Sequence, residues 1–288
     1  MYIKTMGVIN ITPDSFSDGD LFNTRDSFIK KWQELSSWAD IIDIGAESTA
    51  PMNQAIDSTQ ELERHQKIFF PILESLEDPE LTLSIDTYKV EVFTEVAKKV
   101  HQYWPKTKLI FNDVSGAIDD QLIDCLTNFE IPFSYVYSHN LTPERSKAGN
   151  HMQFISPAQG DEFVEQISAY FKSAVEKLKD CGRKIYLDPC FGFSKTREQN
   201  HVLLKAMPSI LQEFSSFGFI YAISRKSFLR FPLGMDAKDS KNQMILDHMQ
   251  SILIFDFLKS INKGEIIFRV HDAGSMTAVK NVQKMFDL

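Results

Sequence analysis

Eight short apolar runs punctuate the chain, and each is followed by a longer stretch in which apolar residues recur at helical spacing. The runs are Thr5–Asn10, Asp40–Ile44, Leu81–Ile85, Lys108–Asn112, Pro132–Val136, Lys184–Leu187, Phe217–Ala222 and Glu265–Arg269. Most are apolar on both faces, the pattern of parallel strands covered on both sides. The stretches between them, Arg25–Ser37, Ser58–Leu76, Val90–Tyr103, Asp120–Asn128, Pro157–Leu178, Glu198–Phe214, Asp239–Ile261 and Gly274–Phe286, repeat with a period near 3.6. Ser58 or Thr59 is the expected N-cap of the second helix, ahead of an acidic first turn. Eight β–α alternations predict an α/β fold, either a closed barrel or a large doubly wound sheet. No Gly-, Pro- or Ser-rich linker, internal repeat or low-complexity tract divides the sequence, so one domain over residues 1–288 is expected.

The placement of polar residues favours the barrel. Asn10 ends the first run, Glu47-Ser48-Thr49 follows the second, and Asp86-Thr87 the third. Asn112-Asp113, Ser138-His139, Asp188, Ser224-Arg225-Lys226, and Arg269 with His271 follow the remaining five. In a closed barrel these strand ends converge on one face, where catalytic groups gather. In an open sheet they would be strung along an edge, and only those near the switch point would meet.

Composition narrows the function classes. Hydrophobic residues make up 43% of the 288 residues, and there are 23 phenylalanines, enough for a large core. The net charge of −8 argues against a nucleic-acid partner, while leaving room for a few clustered cations around an anionic small molecule. Cys125, Cys181 and Cys190 are odd in number and widely spaced, as in a reduced cytoplasmic protein. The N-terminal residues lack a long apolar segment, and the stretch around Ser251–Leu258 is too short to span a bilayer, so no membrane association is expected.

Among the strand-end residues, Asp86 and Asp188 can each accept paired donors from a flat heterocycle, although either serves equally as a helix cap. Asn112 adds a donor and an acceptor beside them. Ser224-Arg225-Lys226-Ser227-Phe228 places two cations at the seventh strand end; the bland reading is a solvated loop. Arg269 and His271 fall on the same face by the two-residue strand period, as an anion site requires and as a surface ion pair would also allow. The first loop, Asn10–Gly19, is long and polar for a βα connection and resembles a lid. His65, His101, His201 and His248 lie in helical patterns and read as structural or exposed. No His/Cys cluster has zinc spacing, and neither a P-loop nor a dinucleotide-binding glycine motif occurs.

Taken together these segments resemble the dihydropteroate synthases over Met6–Asp272. The motifs are M-G-V-I-N-I-T-P-D-S-F-S-D-G (Met6–Gly19), D-I-G-A-E-S-T-A-P (Asp43–Pro51), S-I-D-T (Ser84–Thr87), F-N-D-V-S-G (Phe111–Gly116), L-D-P-C-F-G-F-S-K (Leu187–Lys195), S-R-K-S-F (Ser224–Phe228) and R-V-H-D (Arg269–Asp272). Each is weak alone; seven in the family's order are specific. The resemblance implies a single-domain (β/α)₈ TIM barrel that joins p-aminobenzoate to 6-hydroxymethyl-7,8-dihydropterin diphosphate. It implies Asp86, Asn112, Asp188 and Lys226 as pterin-binding residues. It implies Asn10, Thr49, Arg269 and His271 around the diphosphate, with Asn10 as the Mg²⁺ ligand. Phe16, Asp18 and Ser227 are implied on the p-aminobenzoate side. Asp86, Lys226, Arg269 and His271 are thereby expected to be catalytic. A cytoplasmic homodimer is expected, with the last two helices as interface.

The sequence departs from the family at four places. Ala50 stands where the second loop usually carries arginine, and Cys190 and Ser194 stand where glycine is common. A side chain at Cys190 is tolerated where φ is negative and crowds the pocket otherwise. Leu141–Ser156, after the fifth strand, follows the family pattern only loosely. The departures admit a second reading, a pterin-binding paralogue with weak or no synthase activity, or with a different acceptor. A third, a pterin-binding methyltransferase barrel, is disfavoured by the retained S-R-K-S-F and R-V-H-D segments, because methyl transfer has no diphosphate to hold.

Overall fold

The computed structural model describes residues 2–12, 25–49, 54–230, 234, 239–261 and 263–286. Among the described residues the strands are β1 (Tyr2–Asn10), β2 (Ile41–Gly45), β3 (Thr82–Asp86), β4 (Lys108–Asp113), β5 (Phe133–Ser138), β6 (Lys184–Asp188), β7 (Gly218–Tyr221) and β8 (Glu265–Val270). All pair in parallel and in sequence order, and β8 closes on β1. The chain is therefore a (β/α)₈ barrel, and the open-sheet alternative is excluded. Each predicted run is a strand, with ends shifted by up to three residues.

The helices are α1 (Arg25–Ser36), α2 (Ser58–Arg64), α3 (Phe70–Ser75), α4 (Val90–Tyr103), α5 (Asp120–Asn128), α6 (Gly160–Leu178), α7 (Arg197–Glu213), α8 (Ser227–Arg230), α9 (Ser240–Lys259) and α10 (Ala273–Phe286). A π-helical turn, His65–Phe69, joins α2 to α3, so the predicted helix Ser58–Leu76 is continuous but locally widened. Its N-cap is Asp57, not Ser58 or Thr59. The Asp57 carboxylate accepts from Gln60 N–H at 2.8 Å, and the Gln60 amide oxygen accepts from Asp57 N–H at 3.2 Å, a reciprocal capping box. α7 starts with the same device in Thr196 and Gln199. In α4, Val90, Phe93, Val96, Ala97 and Val100 line the face that packs on the sheet, which is why the helical period was readable there.

The two-residue strand period divides the core. One face of the strands packs outward against the helices. The other sends Met6, Ile41, Ile110, Val136, Tyr186, Ile220, Ala222 and Ile267 inward as a separate apolar plug. At the amino-terminal mouth, Glu265 closes the plug, paired with Lys4 at 3.1 Å and with Lys184, and accepting from the Tyr186 hydroxyl at 2.9 Å. At the carboxyl mouth the inward positions turn polar: Asn10, Asp43, Asp86, Asn112, Ser138, Asp188 and Arg269. Two connections were not predicted. One is the four-residue α8. The other is a 3₁₀ segment, Arg145–Gln153, which has no helical periodicity because Asn150 breaks it at φ −90°, ψ 19°.

Candidate active site

A cavity of about 850 Å³ opens at the carboxyl ends of the strands. Asn10, Thr49, Asp86, Asn112, Asp188, Lys226, Ser227, Arg269 and His271, all singled out from the sequence, line it together. Phe16 and Asp18, expected on the p-aminobenzoate side, lie outside the described residues, as does Ala50.

The centre of the floor is an ion network that the sequence did not announce. Arg269 donates through Nε to Asp43 Oδ2 at 2.7 Å and through Nη2 to Asp86 Oδ2 at 2.8 Å. Asn112 Nδ2 donates to Asp43 Oδ1 at 3.2 Å. Asp43 is fully buried, so its charge requires these partners. Burial and the neighbouring Asp43 charge push the Asp86 carboxyl up to about 7, against the opposing pull of Arg269. Gly45, paired with Asp86 in the strand register, leaves room for the cluster: a Cβ there would stand 3.2 Å from Asn10 Oδ1. Asn112 Oδ1 is buried without a partner, an acceptor left over at the floor of the cavity. In this arrangement Arg269 is engaged with the carboxylates rather than standing free as an anion fork.

On the β6 side, Asp188 Oδ1 accepts from Cys190 N–H at 2.7 Å, and burial raises its carboxyl. Burial lowers the Lys226 ammonium, whose Nζ lies 5.0 Å from the Phe193 ring centroid. His271 is tied to β7: its backbone N–H donates to Ser224 Oγ at 3.3 Å, and Nδ1 lies 3.0 Å from the same hydroxyl. In the tautomer where the Ser224 hydroxyl donates to Nδ1, His271 Nε2 is left as the N–H donor. Burial and the charges of Arg269, Arg225 and Lys226 lower His271 to about 3, so the imidazole is neutral before an anion arrives. Arg225 also lines the cavity, with its guanidinium gripping Asp247 in α9 at 3.1 and 2.8 Å.

Buried ions support the loops. Lys89 bridges Glu47 and Glu61, and Glu47 also accepts from Tyr88 Oη and Ile56 N–H, tying Glu47 to Ile56 across the second loop. Arg145 reaches Asp113 at 2.6 Å, Asp119 at 2.9 Å and the Tyr88 carbonyl at 2.8 Å, pinning the 3₁₀ segment to the β3 and β4 loops. Lys195 is buried with its ammonium 2.9 Å from His139 Nδ1 and donates to the carbonyls of His139, Cys190 and Phe193. Gly116 has φ +70°, and a Cβ there would fall on Tyr170 Oη and 2.6 Å from the Asn140 carbonyl, so glycine is required.

Cys190 and Ser194 both adopt left-handed backbone, φ +53° and +50°. The negative φ that would have made Cys190 indifferent is absent. The chain keeps a glycine-type loop while carrying side chains on it, at a cost of roughly 1–2 kcal/mol each. The Ser194 hydroxyl offsets its share, accepting from Leu141 N–H at 3.0 Å and donating between Asn140 Oδ1 at 2.9 Å and the His151 carbonyl at 3.2 Å. Cys190 packs in a small apolar cluster with Tyr88, Val114, Ala148 and Phe193.

A barrel mouth that brings two carboxylates, an amide, an amine and a donor histidine into one cavity defines an enzyme of the kind that holds a flat polar heterocycle beside an anion. The chain belongs to the pterin binding enzyme family, whose model it matches over residues 6–271. It is 28% identical over 273 residues to a dihydropteroate synthase of Streptococcus pyogenes, covering 93% of this chain and 89% of that one. It is 27% identical over 285 residues to the type-3 dihydropteroate synthase of Escherichia coli, covering 98% of both. A solved dihydropteroate synthase from Clostridium difficile, determined in the presence of pteroic acid, superposes with a TM-score of 0.75 at 27% identity, covering 99% of this chain and 97% of that one. Among the described residues, no helix is long and apolar enough to cross a membrane.

Proposed function

We propose that the chain is a dihydropteroate synthase, a transferase that condenses p-aminobenzoate with 6-hydroxymethyl-7,8-dihydropterin diphosphate to give 7,8-dihydropteroate and diphosphate. The observation that carries this reading is the convergence of Asp86, Asn112, Asp188 and Lys226 with Asn10, Thr49, Arg269 and His271 in one cavity. Asp86, Asp188 and the unpartnered Asn112 Oδ1 accept from the ring N–H and amino groups, and Lys226 donates to ring acceptors. His271 Nε2–H and the remaining Arg269 N–H face the diphosphate, where neutralised charge makes it a better leaving group. The aniline nitrogen forms its bond to the pterin methylene as the methylene C–O bond breaks; the electron pair leaves with diphosphate, and the amine releases its proton. Positioning supplies much of the rate, and no covalent enzyme intermediate is needed.

Mg²⁺ belongs to this proposal. Among the described residues no group of three or more His, Cys, Asp or Glu side chains is placed to cage a metal. Mg²⁺ commonly takes one or two protein oxygens and completes its shell with substrate phosphates and water, a demand that Asn10 Oδ1 fits. When bound, it would neutralise phosphate charge. A homodimer is also proposed, supported by Met244, Ile245, Ile252 and Met285, large apolar side chains left exposed on α9 and α10. We place the protein in the cytoplasm, in keeping with its three free cysteines.

The test is diphosphate release from the pterin diphosphate with and without p-aminobenzoate. Release that depends on p-aminobenzoate, with dihydropteroate formed in equal amount, is expected. Tight pterin binding with no release would overturn the activity and leave a pterin-binding protein.

A further inference from the structure

Residues 141–156, where the sequence follows its family least, bring a histidine into the cavity that the proposed chemistry does not use. His151 sits near the end of the 3₁₀ segment and lines the cavity, yet is only 1% exposed. Three contacts hold its position. Its ring stacks on Phe193 with centroids 4.1 Å apart at 30°. Its carbonyl accepts from Ser194 Oγ at 3.2 Å, and its Nδ1 faces the Ser194 N–H at 3.4 Å. With Nδ1 as acceptor, the neutral ring carries its proton on Nε2. That Nε2 is buried and makes no hydrogen bond. A buried donor left unmatched is costly, and one that lines a cavity is placed to be matched by what enters it. The Thr49 backbone in the second loop already lies near enough to act on the ring as a hydrogen-bond partner, short of full hydrogen-bond geometry with Nε2. Ala50, next in the chain, carries a methyl group and adds no donor of its own.

We propose that His151, held by Ser194, is a positioning residue for the second loop: its Nε2–H docks the Thr49 backbone carbonyl when substrate fills the cavity, and so places Thr49 against the diphosphate. The inference rests on the proposed synthase reading. It also gives Ser194 a task that glycine could not perform. The hydroxyl and amide at a left-handed position fix both the ring and the carbonyl of the same histidine, and thereby the direction of its free N–H.

The experiment compares wild type, H151A, H151Q and S194G by steady-state kinetics, each first shown to be folded by circular dichroism. H151A is expected to raise KM for the pterin diphosphate about tenfold, the order expected for one docked hydrogen bond, with a smaller change in kcat. H151Q should recover most of this, because its amide can accept from Ser194 and donate to Thr49. S194G should show part of the H151A defect despite its relaxed backbone. An unchanged KM in folded H151A, or H151Q as impaired as H151A, would overturn the proposal and leave the synthase reading intact. A second measurement is independent of turnover: ¹⁵N-histidine spectra of wild type with and without the pterin diphosphate. An Nε2–H tautomer whose proton moves downfield on binding supports the docking. An Nδ1–H tautomer, or no change on saturation, refutes it. Pterin binding and a downfield shift without any turnover would sink the synthase activity but not the docking.

Discussion

Replacing Asp43 by asparagine should move the acid limb of the pH–rate profile to lower pH. Arg269 Nη2 stands 2.7 Å from Asp43 Oδ2 and 2.8 Å from Asp86 Oδ2, so the two carboxylate oxygens are separated by no more than both distances together, roughly 5.5 Å. At an effective dielectric of about 20, two like charges at that separation repel by about 3 kcal/mol, equivalent to about two pH units. Arg269 lies between them and offsets part of this repulsion, so a shift of about one to two units is expected. The sign follows from the network. Asp43 helps hold the Asp86 carboxyl up at about 7, and removing its charge lets Asp86 ionise at lower pH. The ionised carboxylate is the form that accepts pterin N–H groups, so kcat/KM in D43N should persist further into acid. The substitution is a fair probe because the floor can absorb it. The introduced amide can still accept from Arg269 Nε; if Asn112 turns to accept from it, one pterin acceptor is lost and kcat/KM falls at every pH, while the position of the acid limb still reads the Asp86 charge. Profiles of kcat/KM for the pterin diphosphate between pH 5 and 9 decide the matter, with thermal melts confirming the fold. An unmoved limb, or one displaced upward, would show that Asp43 does not set the Asp86 proton affinity.

Three further outcomes test other parts of the structure. At Cys190, where φ is +53°, C190A should be about 1 kcal/mol less stable than C190G in urea titrations, because glycine escapes the left-handed penalty that alanine keeps. K195M should lower stability by about 2–5 kcal/mol in chemical denaturation, since it strands the carbonyls of His139 and Phe193 in the interior, while the Cys190 carbonyl keeps the Phe193 N–H. I252E should shift the protein toward monomer in sedimentation velocity runs if the exposed apolar side chains of α9 and α10 form the proposed interface.

Much of the site was legible because strand ends are local features. Asp86, Asn112, Asp188, Lys226 and Arg269 each sit within a few residues of a buried apolar run, and the two-residue period assigns a face without knowledge of the fold. His271 and Arg269 are on the same face for that reason, and both line the cavity. Their tasks were less legible. Arg269 reads as an anion fork in R-V-H-D, yet its nearest partners are Asp43 and Asp86, 226 and 183 residues away. Asp43 carried a usable signal: a lone carboxylate in an otherwise apolar buried strand must find a charged or donating partner. Lys89, Arg145 and Lys195 gave none, because a buried cation and a surface cation look alike in a sequence.

By itself, then, the sequence determined the eight alternating units, the inward and outward faces of the strands, the polar ring at their ends and, through its ordered motifs, the family. Each of these depends on neighbours a few residues apart. The tertiary structure decided which groups on that ring meet, that Asp43 and Asp86 share one arginine, and that Cys190 and Ser194 hold left-handed backbone. It also decided that a 3₁₀ segment without periodicity carries His151 against the second loop. The physical reason is closure. Strand periodicity sets the direction of a side chain, whereas its partner is set by what β8, returning to β1, brings opposite it.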